Sequence, residues 1–123
     1  MHYMFLIYNC ENRPKPGDPQ FDEILTRVNA FADECRRRNA FVAGDPLKPV
    51  GTATTVRIEQ GKAMLTDGPF AETHEHLGGY YLLDCRDLDE ALELAELMPQ
   101  AQFGSTIEVR PVDHIPGLNH GVE

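Results

Sequence analysis

Apolar and polar positions recur with two different periods along this chain, and each change of period marks an element. His2–Asn9 is an almost unbroken apolar and aromatic run, which predicts a buried strand. Residues 11–17, carrying Pro14, Pro16 and Gly17, read as a loop. Asp18 then caps a helix with Pro19 at its first position. Phe21, Ile24, Leu25, Val28, Phe31, Ala32 and Cys35 recur at spacings of three and four, giving one apolar stripe. The helix should close near Asn39, a residue type that tolerates left-handed backbone. Residues 40–43 predict a short strand, closed by Gly44-Asp45-Pro46. Residues 52–59 and 62–66 flank Gln60-Gly61 as a hairpin, and a loop at Asp67 follows. Residues 79–85 predict a central strand. Asp87 with Glu90 starts a second helix, whose stripe is Leu88, Ala91, Leu92, Ala95 and Met98 and whose end is Pro99. Ile107 and Val109, alternating with Thr106, Glu108 and Arg110, predict a last strand.

This order is strand–helix–strand, a hairpin insertion, then strand–helix–strand. It predicts an α+β fold of ferredoxin-like, split βαβ type, with an antiparallel sheet and both helices on one face. Residues 1–115 are expected to form a single domain and 116–123 a loose tail. One helix layer leaves the other sheet face bare, and an apolar sheet face needs cover. A second copy of the chain related by a twofold axis supplies it, so a homodimer is expected. A cavity between the two sheets would then be a natural small-molecule site.

Composition narrows the partners. A chain of 123 residues is the length of one domain, and 41% hydrophobic with 25% charged residues is globular composition. A net charge of −9 repels phosphate backbones and anionic membranes, so neither nucleic acid nor a membrane is expected as a partner. Arg36-Arg37-Arg38 reads instead as the positive end of a helix. Cys10, Cys35 and Cys85 are odd in number and widely spaced, which fits free thiols rather than a disulfide framework or zinc ribbon. The run from Tyr3 to Tyr8 is too short for a signal peptide, and a cytoplasmic protein is expected.

Candidate chemistry concentrates between residues 66 and 80. Asp67, before Gly68-Pro69, is either a turn-holding carboxylate or a general base at a pocket mouth. Glu72 and Glu75, three apart, form either a solvated acidic turn or a carboxylate pair that raises one partner's pKa. His74 and His76 would face one way on an extended segment, but no third ligand has metal-site spacing, so no metal or cofactor is expected. Gly78-Gly79 fits close approach of backbone or ligand, or a bulge. Tyr80 and Tyr81 should point to opposite sheet faces, one into the core and one toward the open side. Arg57 and Arg110 lie on strands, where each is either solvent-facing or paired with a carboxylate such as Glu72 or Asp67. No Gly-rich phosphate loop, Gly-x-Ser-x-Gly or Cys–His nucleophile pattern is present.

Several of these segments carry a resemblance. Thr66-Asp67-Gly68-Pro69-Phe70-Ala71-Glu72-Thr73, Glu75, Gly78-Gly79-Tyr80-Tyr81, Asp87-Leu88-Asp89-Glu90-Ala91 and Ile107-Glu108-Val109-Arg110-Pro111-Val112 resemble the DGPF family, the bacterial branch of YCII-related proteins. The resemblance covers about Tyr3 to Val112 and implies a dimeric α+β barrel built on a ferredoxin-like protomer. It also implies a family of largely uncharacterised members, often encoded beside extracytoplasmic-function sigma factors, within a superfamily that includes oxygenases and isomerases. In two places the chain departs from the pattern. His74 stands where Lys is common. The helix-one His that typical members pair with an Asp falls near Val28, and helix one here has no His, so that pair does not carry over.

Two function classes follow. The first is a protein binding a small polar or aromatic metabolite in the barrel cavity, open as to enzyme activity, with Asp67 as acid/base group and Glu72, Glu75, Tyr80 and Arg110 orienting the ligand. The second is a non-enzymatic regulatory or interaction module linked to a sigma factor. A closed, partly polar cavity reached by Asp67 favours the first; a filled barrel with an exposed acidic loop favours the second.

Overall fold

The computed structural model describes residues 1–10, 14–71 and 74–118. Its elements, in order, are β1 (His2–Asn9), α1 (Pro19–Arg37), β2 (Phe41–Pro46), β3 (Thr54–Glu59), β4 (Lys62–Asp67), β5 (His76–Asp84), α2 (Leu88–Leu97), α3 (Pro99–Gln102) and β6 (Thr106–Pro111), with a 3-10 turn at Val50–Thr52. β2, β5, β1 and β6 lie side by side in that order, every neighbouring pair antiparallel. β3 and β4 form a separate two-stranded sheet. This is the ferredoxin-like α+β arrangement, with the hairpin inserted between β2 and β5.

The period of two along β1 divides the sheet into a covered and an open face. Tyr3, Phe5 and Ile7 point to the covered face, where Leu83 and Tyr81 stand opposite them on β5 and Val109 and Ile107 on β6. Phe31 and Cys35 of α1 and Ala91 and Leu94 of α2, with Met98 just beyond it, complete this core. Each fully buried side chain of this size contributes about 1.5–3 kcal/mol. Gly44 is fixed by this packing: a Cβ there would lie 2.5 Å from the Tyr81 ring.

The helices follow their patterns with local differences. Asp18 is the N-cap of α1, but its carboxylate accepts from the Lys15 N–H at 2.7 Å rather than from the helix. Asn39 takes φ 58° just past the end, as its residue type allows. The arginines there are held by their own helix: Arg36 pairs with Asp33, and Arg37 and Arg38 with Glu34. Those two guanidiniums draw the Glu34 carboxyl down to about 2. Asp87 accepts from the Glu90 N–H at 2.9 Å, while the Glu90 side chain reaches the Arg86 N–H rather than that of Asp87.

Four expectations need correction. Gly44-Asp45-Pro46 does not close β2 but belongs to it, because β5 runs alongside and pairs with it to Gly79. β5 itself begins at His76, so Gly78-Gly79 lies within a strand. Pro99 ends α2 but also starts α3, occupying the first helical position where its missing N–H costs nothing. The buried stripe of α2 contains Leu94, while Leu88 and Leu92 are exposed. Leu92 and Ala95 instead border a shallow apolar groove of about 400 Å³ beside Ile107 and Val109.

Burial also sorts the thiols. Cys10 is exposed, while burial pushes Cys35 and Cys85 up to about 11. A disulfide-exchange reagent at mildly alkaline pH should therefore titrate one thiol in the native protein and all 3 in denaturant. Rapid reaction of two or more native thiols would contradict this core.

Candidate functional site

The open sheet face is built by the alternate positions of the same strands. Leu6 stands between Tyr80 and Glu108, and Tyr80 in turn stands opposite Asp45. This makes a row Asp45–Tyr80–Leu6–Glu108 across the sheet. The next row is Ala43–Leu82–Met4–Arg110. On the other side, Tyr8 lies between Leu77 and Thr106. The result is an apolar floor of Met4, Leu6 and Leu82 with polar groups around it. α1 and α2 pack on Phe5 and its neighbours, on the other side, while on this face Met4 and Leu6 are half-buried and Leu82 is 9% exposed within one chain.

The polar rim is organised by hydrogen bonds. The Tyr80 hydroxyl donates to Asp45 Oδ2 at 3.0 Å, and the Tyr8 hydroxyl to Glu108 Oε1 at 3.2 Å. Thr106 Oγ1 donates to Glu75 Oε1 at 2.6 Å, which sets Glu75 at one end of the face. The Asp45 carboxylate holds the Tyr80 phenol above its ordinary value. Partial desolvation, with Glu108 adding to it, does the same for Tyr8. Both phenols are therefore neutral donors near pH 7 and not bases. Arg110 is exposed and has no ion pair among the described residues, and the same holds for Arg57 on the hairpin. At the far end, the His114 ring lies 5.8 Å from that of His2.

Of the residues singled out from sequence, Tyr80 and Arg110 share the open face, two strands and two residues apart, about 12 Å by strand spacing and rise. Glu75 stands at its rim. Asp67 does not join them. It is the last residue of β4, paired with Thr54 at the base of the hairpin, rather than part of a loop. Its carboxylate is exposed and makes no hydrogen bond to the described residues, so it does not hold the turn. That work falls to backbone: Gly68 N–H donates to Ala53 O at 2.6 Å, and Thr55 Oγ1 donates to Gly68 O at 2.8 Å. Glu72 lies outside the described residues. Neither arginine pairs with Asp67; both are exposed, which is the solvent-facing alternative weighed from sequence.

Tyr81 turns into the core and Tyr80 to the open face, as alternation requires. Between Ile7 and Tyr8 the register slips, and Gly78 is the extra residue of a bulge. A Cβ on Gly78 would fall 1.9 Å from Asn9 Nδ2, and Asn9 is itself held by the Ser105 hydroxyl at 2.8 Å. Close backbone approach and the bulge are thus one feature. His76 opens β5 opposite Asn9, and no group of three or more metal-ligating side chains occurs among the described residues.

Sequence reading missed Asp45, Tyr8, Glu108 and Thr106. The signal for Tyr8 was its parity with Met4 and Leu6, and for Glu108 and Thr106 their parity with Arg110. Asp45 had none, because Gly44-Asp45-Pro46 reads as a turn when its strand partner is unknown.

A family model for the YCII-related domain matches residues 1–115. An uncharacterized protein of Rhizobium meliloti (strain 1021) is 36% identical over 119 residues, covering 91% of this chain and 92% of its own. No helix among the described residues is long and apolar enough to cross a membrane.

Proposed function

The chain belongs to the YCII-related domain family, and from that membership we propose that it binds a small polar or aromatic metabolite between the open sheet faces of a homodimer. The observation that carries this reading is the open face itself: an apolar floor with a few convergent polar groups is what small-molecule sites are made of. A second copy closes that floor from water by twofold symmetry. Arg110, without an ion pair among the described residues, fits an anionic group such as a carboxylate. The Tyr80 and Tyr8 hydroxyls fit a polar ring substituent, and Glu75 and Glu108 a donor at the rim. Asp67 is the acid/base candidate of the enzyme version of this reading. An interaction module is the rival, favoured by the exposed apolar residues of the β3–β4 hairpin.

The test is a screen of small carboxylates and aromatic acids for an upward shift in melting temperature, followed by calorimetry on any hit. Arg110→Ala and Tyr80→Phe should each weaken binding on the order of ten- to a hundredfold. Asp67→Asn should leave the melting temperature nearly unchanged and reduce binding or turnover. A hit that binds all three variants as tightly as the native protein would move the site off this face.

A further inference from the structure

Three hydroxyls on the rim of the open face each give their proton to a carboxylate: Tyr80 to Asp45, Tyr8 to Glu108 and Thr106 to Glu75. A hydroxyl has one proton, so toward a ligand these oxygens can only accept. The carboxylates accept as well. The rim therefore calls for a ligand that brings donors. It also sets three anions around the guanidinium of Arg110, so a purely anionic ligand would meet one attractive group and several repulsive ones.

Glu108 and Arg110 lie two residues apart on β6 and face the same way, Glu108 opposite Leu6 and Arg110 opposite Met4. One repeat of the pleat puts their Cα atoms about 7 Å apart. Even so, no ion pair joins them, and neither has one with another described residue. Tyr8 stands on the far side of Glu108 from Arg110, opposite Thr106, and its hydroxyl holds the carboxylate at 3.2 Å. The guanidinium is close enough to be felt at the same phenol: partial desolvation raises it, Glu108 adds to this and Arg110 opposes it. An anion and a cation side by side but unpaired, next to the half-buried Met4 and Leu6, match the head of a zwitterion with an apolar body.

We infer that the ligand is an α-amino acid with an apolar side chain, its carboxylate on Arg110, its ammonium between Glu108 and the Tyr8 oxygen, and its side chain over Leu6 and Met4. This rests on the small-molecule reading above and narrows its ligand class. The ammonium sits on the carbon next to the carboxyl carbon, so one neighbouring Glu–Arg pair serves both ends. It brings three donors to oxygens that only accept. Its positive charge also offsets the acidic rim, which a simple carboxylate cannot do.

Calorimetry on matched compounds tests this. Phenylalanine is compared with phenylpropionate, which lacks the ammonium, and phenethylamine, which lacks the carboxylate; leucine is compared with its own deaminated acid and decarboxylated amine. In the better-bound series the amino acid should bind on the order of tenfold or more tighter than either relative. Glu108→Gln keeps an oxygen for the Tyr8 hydroxyl but removes the charge. It should erase the advantage of the amino acid over the deaminated acid, and leave the deaminated acid bound at least as tightly as before. Arg110→Ala should weaken both acids and spare the amine. Both side chains are exposed, so circular dichroism should show unchanged folding. If amino acid and deaminated acid bind alike and Glu108→Gln changes neither, the amino-acid inference falls while the carboxylate site stands. If neither acid responds to Arg110→Ala, the open-face reading falls with it. Absence of binding by every compound at millimolar concentration also overturns the inference.

Discussion

Phe5→Ala should lower the stability of the protein by about 3–5 kcal/mol, the cost of truncating a fully buried aromatic side chain. Phe5 is 0% exposed at the middle of β1, between Tyr81 on β5 and Val109 on β6. The helix layer closes over it through Phe31, whose ring centroid lies 5.6 Å from that of Tyr81. Two strands and a helix layer cannot all collapse into the space an alanine leaves, so much of the cavity should persist. For a domain whose total stability is on the order of 5–15 kcal/mol, the loss is a large fraction. Urea unfolding should show a lower midpoint with an unchanged slope. A loss of under about 1 kcal/mol would mean that the helices do not seat on this face as described.

Leu6→Lys, one residue along, should do the reverse: leave the protomer folded and abolish the dimer. Leu6 points to the open face and is half-buried within one chain, so a lysine there can reach water when the chain is alone. Between two facing sheets the same ammonium would have to be desolvated even with Glu108 beside it, and symmetry would place two of them in one interface. Desolvating buried charges costs several kcal/mol and their pairing repays it poorly, so the dimer constant should weaken by about a hundredfold or more. Sedimentation at micromolar concentration should show twice the chain mass for the native protein and the chain mass for the variant. A variant that remains dimeric would place the interface elsewhere, and the shallow groove beside α2 and β6 would be the next surface to examine.

These two residues show what alternation does and does not reveal. That Phe5 and Leu6 face opposite ways follows from the period of two, and the sequence carries it. Which of the two faces takes the helices depends on long-range packing, because both sides of β1 are apolar. α2 makes the same point. Its helical period was legible, but the choice of Leu94 over Leu92 for the core was made by the position of β6, whose Ile107 and Val109 lie beside the flank of the helix.

The candidate site divides along the same line. Residues that are local to one another were legible: the hairpin turn at Gln60-Gly61, the Asp87 cap and the opposition of Tyr80 to Tyr81 are set by backbone geometry within a few residues. Groups that meet across the sheet were not. Tyr80 reaches Asp45 over 35 positions and Tyr8 reaches Glu108 over 100, and only the strand order β2–β5–β1–β6 makes them neighbours. Asp67 is the sharpest case. Its sequence neighbours marked it as chemically interesting, yet only the tertiary structure decided that it sits on a hairpin apart from Tyr80 and Arg110. The physical reason is that periodicity and turn chemistry act over a few residues and are written into the chain, whereas the meeting of distant side chains depends on which strands pair and in what register. That is fixed by burying the whole core at once.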